Sequence, residues 1–209
     1  MRYYIIAGEA SGDLHGSNLI NELKKQDAQA DIRCWGGDKM QAAGGTVVKH
    51  INELAFMGFF EVVKHLPTIL GNISFCKKDI LEYKPDVVIL IDYPGFNFRL
   101  FEFLKEHGIK IFYYISPQLW AWKKGRVKKV KKYVDRMFVI FPFEKDFYEQ
   151  YGVAVDFVGH PLLDELKPEN STLTIGNSQA STNIIAIVPG SRKQEITYLL
   201  PEYLKVVDQ

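Results

Sequence analysis

Short apolar runs alternate with amphipathic stretches of helical length along most of the chain, the pattern of repeated strand-helix units that feed a parallel sheet. Strands are predicted at Tyr3 to Ala7, Ile32 to Trp35, Val87 to Ile91, Ile109 to Ile115, Met137 to Phe141 and Val155 to Val158. Helices are predicted between them at Leu14 to Lys25, Asn97 to His107, Gly125 to Tyr133 and Glu144 to Tyr151. Gly108 and Gly152 each fall just past a helix end, where a left-handed cap needs a residue without Cβ. From Asp164 to Asn183 the apolar periodicity fades into Lys, Pro, Glu, Asn, Ser, Thr and Gly, which reads as a linker. The expected organisation is therefore an α/β domain over 1–163, a linker over 164–183, and one further strand-helix unit over 184–209. That last unit pairs a strand at Ile184 to Val188 with a helix at Gln194 to Val207. A single such unit cannot close a parallel sheet, so the second domain is expected to be begun and not finished.

Composition narrows the partners. Twenty-six Lys and Arg against 25 Asp and Glu leave almost no net charge, so no global field points to nucleic acid. Cys34 and Cys76 lie far apart, outside metal-ligand spacing, and are expected to be buried, inert thiols of a reducing compartment. The chain enters a strand at once and carries no long apolar run, so a cytoplasmic protein that does not span a membrane is expected.

Five loops carry candidate chemistry. Gly8-Glu9-Ala10-Ser11-Gly12-Asp13-Leu14-His15-Gly16 follows the first strand and opens a helix, with glycines that let backbone N–H groups approach a ligand at a helix N-terminus. Ser11 or Asp13 equally suits a helix cap, with Gly12 permitting the turn. Asp92 leaves an apolar strand into Tyr93-Pro94-Gly95-Phe96-Asn97; a carboxylate there can take a proton from a sugar hydroxyl, or form an Asx turn ahead of an Asn97 cap. Ser116-Pro117-Gln118-Leu119-Trp120-Ala121-Trp122 places two indoles in a strand-end loop, suited to a sugar face, an acyl chain or core packing. Gly159-His160-Pro161 closes the sixth predicted strand, and His160 is a candidate to bind substrate, transfer a proton or simply hold the local fold. Pro189-Gly190-Ser191-Arg192 repeats the glycine-turn logic and adds a guanidinium fit for a diphosphate.

Two segments look towards a surface. Leu54 to Leu66 is rich in large apolar residues, among them Phe56, Met57, Phe59 and Phe60, and suits a bilayer interface, acyl chains or burial on the sheet. Lys123 to Lys132 with Arg136 gathers eight of the 26 basic residues, an attraction for anionic headgroups or phosphate, or simply a solvated face.

Taken in order, GEASGD, MGFFEV, IDYPGFN, SPQLWAWKKGRV, FPFEKDFY, VGHPLLDE and IVPGSRKQEI resemble the lipid-A-disaccharide synthases from Met1 to the last residue. The resemblance implies the GT-B architecture, two Rossmann-like domains with the active site between them. It implies transfer of diacylglucosamine from UDP-2,3-diacylglucosamine to 2,3-diacylglucosamine 1-phosphate with inversion, by a peripheral protein on the cytoplasmic face of the inner membrane. Neither metal nor cofactor is implied, and the chain has no Asp-x-Asp pair. By the same resemblance Asp92 is the leading base, with Ser11 and Asp13 positioning the acceptor or sharing that role. Gly8, Glu9, Gly12, His15, Asn97, Gln118, Trp120, Trp122 and His160 line the substrate, Gly190, Ser191 and Arg192 hold the UDP diphosphate, and Phe56, Met57, Phe59 and Phe60 meet acyl chains or membrane. The second domain, expected to be incomplete here, supplies most UDP contacts in the family, so the 209 residues alone are expected to be inactive. Another GT-B-like nucleotide-sugar enzyme, such as a 2-epimerase or a peptidoglycan glycosyltransferase, and a non-catalytic lipid-binding module are the other readings.

Overall fold

A computed structural model describes residues 1–54, 66–166, 185–190 and 193–207. The chain divides into two compact units, Met1–Glu165 and Leu166–Gln209. In the first, seven strands form one all-parallel sheet in the order β3-β2-β1-β4-β5-β6-β7. They are β1 (Arg2–Ile6), β2 (Asp31–Gly36), β3 (Thr46–His50), β4 (Val87–Ile91), β5 (Lys110–Tyr114), β6 (Arg136–Val139) and β7 (Asp156–Phe157). Helices α1 (Ala10–Gln26), α2 (Asp38–Ala42), α3 (Leu66–Tyr83), α4 (Pro94–Asn97), α5 (Phe101–Glu106), α6 (Val127–Tyr133) and α7 (Pro142–Glu149) lie between them. This is the α/β, Rossmann-like arrangement that the strand-helix alternation predicts.

Alternation along each strand splits the core in two. Tyr4, Ile6, Val88, Leu90, Ile111, Tyr113, Met137 and Val139 point to one face, where they meet buried residues of α3 to α7 such as Ile80, Phe101, Leu104, Val130 and Tyr148. Tyr3, Ile5, Ala7, Ile32, Cys34, Val87, Ile89 and Ile91 point to the other, packed by Ile20 of α1 and Met40 of α2. Among the described residues of the first unit, that second face is covered only in part. Phe112, Tyr114 and Phe138 border a cavity of about 600 Å³ that also touches Leu19, Leu23, His160 and Leu163.

Several predicted elements shift. The helix expected over 97–107 is two, α4 and α5, because Asn97 closes the first while Phe98 to Leu100 form a turn before the second. The helix expected from Glu144 starts at Pro142, since the buried Glu144 carboxylate reaches back to accept from the backbone N–H groups of Ile140 and Phe141 at 3.1 and 3.0 Å. β3, α2 and the 18-residue α3 appear where no element was predicted. Gly108 and Gly152 take φ of 67° and 64°, the left-handed caps expected of them. Both cysteines are buried and free; desolvation pushes the Cys34 thiol up to about 12, and the Cys76 thiol is raised by the same cause.

In the second unit α8 (Lys193–Val207) forms as predicted, with Pro201 inside it. Residues 185–188 carry no strand, although one was expected there; a strand is defined by its ladder, and these residues pair with none.

Candidate active site

The strand order reverses between β1 and β4, and in open α/β sheets the crevice outside the carboxyl ends at such a reversal is where ligands sit. Ile6 of β1 pairs with Leu90 of β4, so the turns that follow, beginning at Gly8 and Asp92, emerge side by side. The two glycine-rich and acidic loops read from the sequence are thus brought to one place. They interlock there: a Cβ at Gly8 would collide with Cγ, Cδ1 and Cδ2 of the Tyr93 ring, so this turn admits only glycine. Tyr93 in turn stacks on Phe96, centroids 5.5 Å apart and planes 17° apart. Gly12 does similar work one helical turn on, where a Cβ would meet the Ala7 Cβ at 3.0 Å, and so lets α1 approach β1. Glu9 and Ser11 remain exposed at the start of α1.

Asp92 keeps an exposed edge while protein crowds its carboxyl. Desolvation, then the neighbouring charge of Glu9, push its pKa up to about 6, against a smaller opposing hydrogen bond from the Tyr93 N–H. A carboxylate titrating near neutrality is matched to accepting a proton from a hydroxyl. Its backbone sits in the left-handed region, φ 41°, as does that of Tyr93 at 45° and, at the end of the adjacent β5, Ile115 at 62°. The Asp92 N–H donates to the Tyr114 carbonyl at 3.1 Å. The Asp92 carbonyl accepts from Asn97 Nδ2 at 2.7 Å and from the Tyr113 hydroxyl at 2.5 Å.

Asp13 is placed differently from its sequence expectation. It is 5% exposed, and its carboxylate accepts from the backbone N–H groups of Gly37, Lys39 and Met40 at 2.6, 3.2 and 3.0 Å. It therefore caps α2 rather than its own helix, and its lone pairs are committed to that helix's orphan donors. Asn97 is fully buried, with its amide on the Asp92 main chain rather than on an open surface.

Around the crevice, His15 is buried and its Nδ1 has no hydrogen-bond partner among the described residues. Burial, then the nearby His160, lower its pKa, against raising by Glu165 and Asp164. His160 accepts from the Leu162 N–H through Nδ1 at 3.2 Å and lies 5.4 Å from the Phe141 ring. Of the two indoles, Trp120 stands edge-on to Phe143 at 5.0 Å, while Trp122 is 57% exposed with the Lys123 ammonium 4.3 Å from its ring centroid. Gln118 is exposed, and Ser116 is buried against the Tyr148 hydroxyl at 2.8 Å. α6 turns Val127 and Val130 inward and presents Lys128, Lys129, Lys131 and Lys132 to solvent. Gly190 belongs to the second unit, with φ 99°. Ser191, Arg192, Phe56, Met57, Phe59 and Phe60 lie outside the described residues. Among the described residues, no group of three His, Cys, Asp or Glu side chains is placed to hold a metal ion.

Tyr113 and Tyr93 were not singled out by sequence reasoning. Tyr113 reads as an ordinary inward residue of an apolar strand, and only the β4–β5 register, which sets Leu90 against it, brings its hydroxyl to Asp92.

A family model described as lipid-A-disaccharide synthetase matches residues 3–209. Curated relatives named lipid-A-disaccharide synthase include one from Geobacter metallireducens, 46% identical, and one from Trichlorobacter lovleyi, 44% identical, each over 98% of this chain. The chain spans about half the length of these relatives, 54% in both cases. Among solved structures, a UDP-GlcNAc 2-epimerase from Neisseria meningitidis is similar in fold, with a TM-score of 0.57 at 13% identity over 83% of this chain and 51% of that one. A second UDP-N-acetylglucosamine 2-epimerase gives 0.54 at 14% identity, over 79% and 54% of the two chains.

Proposed function

Because the chain belongs to the lipid-A-disaccharide synthetase family, we propose that the protein carrying it is a glycosyltransferase of lipid A biosynthesis in which Asp92 is the general base. The donor is UDP-2,3-diacylglucosamine and the acceptor 2,3-diacylglucosamine 1-phosphate. Asp92 accepts the proton of the acceptor's 6-hydroxyl as that oxygen attacks the donor's anomeric carbon from the face opposite UDP. One carbon–oxygen bond forms as the bond to UDP breaks, the anomeric centre inverts, and the electron pair departs with the diphosphate. Ser11, exposed in the first turn of α1, orients the acceptor, and Glu9 keeps the Asp92 carboxyl poised between its two protonation states.

The single observation that carries this reading is a carboxyl with a pKa of about 6 at the strand-order reversal. The leaving diphosphate is assigned to the Gly190, Ser191 and Arg192 turn of the second unit, where a guanidinium balances charge that grows as the bond breaks. That unit begins the nucleotide-sugar domain. The exposed Trp122 and the lysines of α6 form the face that meets an anionic membrane, as fits a peripheral enzyme with acylated substrates; no helix among the described residues is long and apolar enough to cross one.

The test is Asp92→Asn in the full-length protein, assayed with acylated UDP-glucosamine. Turnover is expected to fall about a hundredfold or more with substrate binding retained, and the parent's kcat/KM to fall below about pH 6. Wild-type turnover in the Asn variant would overturn the assignment.

A further inference from the structure

The switch-point base stands on an unusual backbone. Asp92 and Tyr93 are consecutive residues in the left-handed region, and the second carries a bulky ring that disfavours it. Such a conformation persists only when its surroundings over-determine it. Two buried side-chain donors converge on the Asp92 carbonyl oxygen, Asn97 Nδ2 from α4 and the Tyr113 hydroxyl from β5, both from residues with no solvent exposure. A carbonyl oxygen has two lone pairs, and here each is met by a donor shielded from water, where hydrogen bonds are strong and expensive to lose. The Asp92 N–H is fixed to the Tyr114 carbonyl, and the Tyr93 carbonyl accepts from the N–H groups of Phe96 and Asn97 at 3.2 and 3.1 Å.

We propose that Asn97 and Tyr113 are positioning residues, a two-donor clamp on the Asp92 carbonyl that holds the β4–α4 turn left-handed and so aims the Asp92 carboxyl into the crevice near Glu9. Neither side chain touches substrate; each acts through the main chain of Asp92. Because Asn97 and Tyr113 direct their donors to the Asp92 carbonyl, the carboxyl is held only by the Tyr93 N–H among the contacts that shift its pKa and remains open to a hydroxyl. The ionisable groups facing Asp92 are Glu9 across the reversal and Tyr113 beneath it. The proposal rests on Asp92 being the base, and it is tested by a measurement that does not.

Tyr113→Phe removes one hydroxyl and keeps the ring against Phe101, to which it stands edge-on at 6.0 Å. In the present chain, ¹³C resonances of labelled aspartate, with Asp92 identified by its loss in Asp92→Asn, are followed through a pH titration. Once one donor is gone the turn relaxes and the carboxyl gains water, so its midpoint is expected to move from about 6 towards the ordinary 3.8. In the full-length protein kcat is expected to fall on the order of tenfold to a hundredfold with KM nearly unchanged, and the acid limb to move with the midpoint. Asn97→Ala is the second variant, expected to shift the midpoint in the same direction. If both variants lose thermal stability while the Asp92 midpoint and the acid limb stay in place, the clamp is merely structural and the proposal fails. Undiminished turnover in Asp92→Asn would instead remove the base while leaving the titration result intact.

Discussion

The ring of Tyr93 lies against the backbone of Gly8 so closely that the two strand-end turns are one packed object. Gly8→Ala puts a methyl group where three ring atoms stand, so either Tyr93 leaves its stack on Phe96 or the β1–α1 turn moves. A loss of about 1–3 kcal/mol is expected in denaturant unfolding. Tyr93→Ala in the same molecule should recover part of it, and a cycle showing strict additivity would refute the contact.

Asp13 bridges α1 and α2 with three backbone donors on a single carboxylate. Asp13→Ala strands those donors and is expected to cost about 1–3 kcal/mol, read as a lower midpoint in urea with the slope unchanged. Asp13→Asn, which keeps one acceptor oxygen, should lose less.

Asp79 is 4% exposed and sits between Arg33, whose Nη2 and Nε donate at 2.5 and 3.0 Å, and the Tyr4 hydroxyl at 2.7 Å, which accepts from Trp35 Nε1 at 2.9 Å. Removing the carboxylate leaves a cation and a hydroxyl without their partner. Asp79→Ala is expected to lower stability by about 3–5 kcal/mol and to perturb Trp35 fluorescence, more than a typical surface pair would.

The pKa of Asp92 also marks stability. Its folded value, about 6, lies above its ordinary 3.8, so between those values the folded chain holds more protons than the unfolded one. Stability contributed by this group is therefore present at low pH and lost as pH rises through about 6. Asp92→Asn should melt at a higher temperature than the parent at pH 7 to 8, by a margin that shrinks towards pH 4. A margin independent of pH would contradict the raised value.

Exposed Trp122 and the outward lysines of α6 predict sedimentation with phosphatidylglycerol vesicles that weakens as salt rises. Trp122→Ala combined with Lys128→Glu and Lys129→Glu should reduce it; unchanged sedimentation would discard this face as the membrane side.

Much of the fold was legible because a parallel sheet writes itself as apolar runs at regular spacing. β4 is the plainest instance, five buried residues in a row with the predicted bounds. The loops after β1 and β4 were legible as well, since glycines and an aspartate directly after apolar runs are rare unless a turn needs them. What escaped depends on long-range partners. Asp13 looks like a cap of its own helix, and its real donors lie 24 to 27 residues away. Asn97 looks like the N-cap of the next helix, and in the fold it is buried at the end of α4 with its amide on the Asp92 carbonyl. β3 was missed because Thr46 to His50 is only half-buried and ends in Lys and His. α3 was missed because Gly71 and repeated Ile dilute a helical signal that packing on the sheet then restores.

The partly covered second face has a calorimetric consequence. Among the described residues of the first unit, Phe112, Tyr114 and Phe138 border open space, so within that unit some of the apolar surface that unfolding normally hydrates is already accessible. The heat-capacity increment of unfolding follows newly exposed apolar area, at about 12–15 cal/mol/K per residue for an ordinary domain. The first unit should fall below that range, with a correspondingly flatter dependence of stability on temperature.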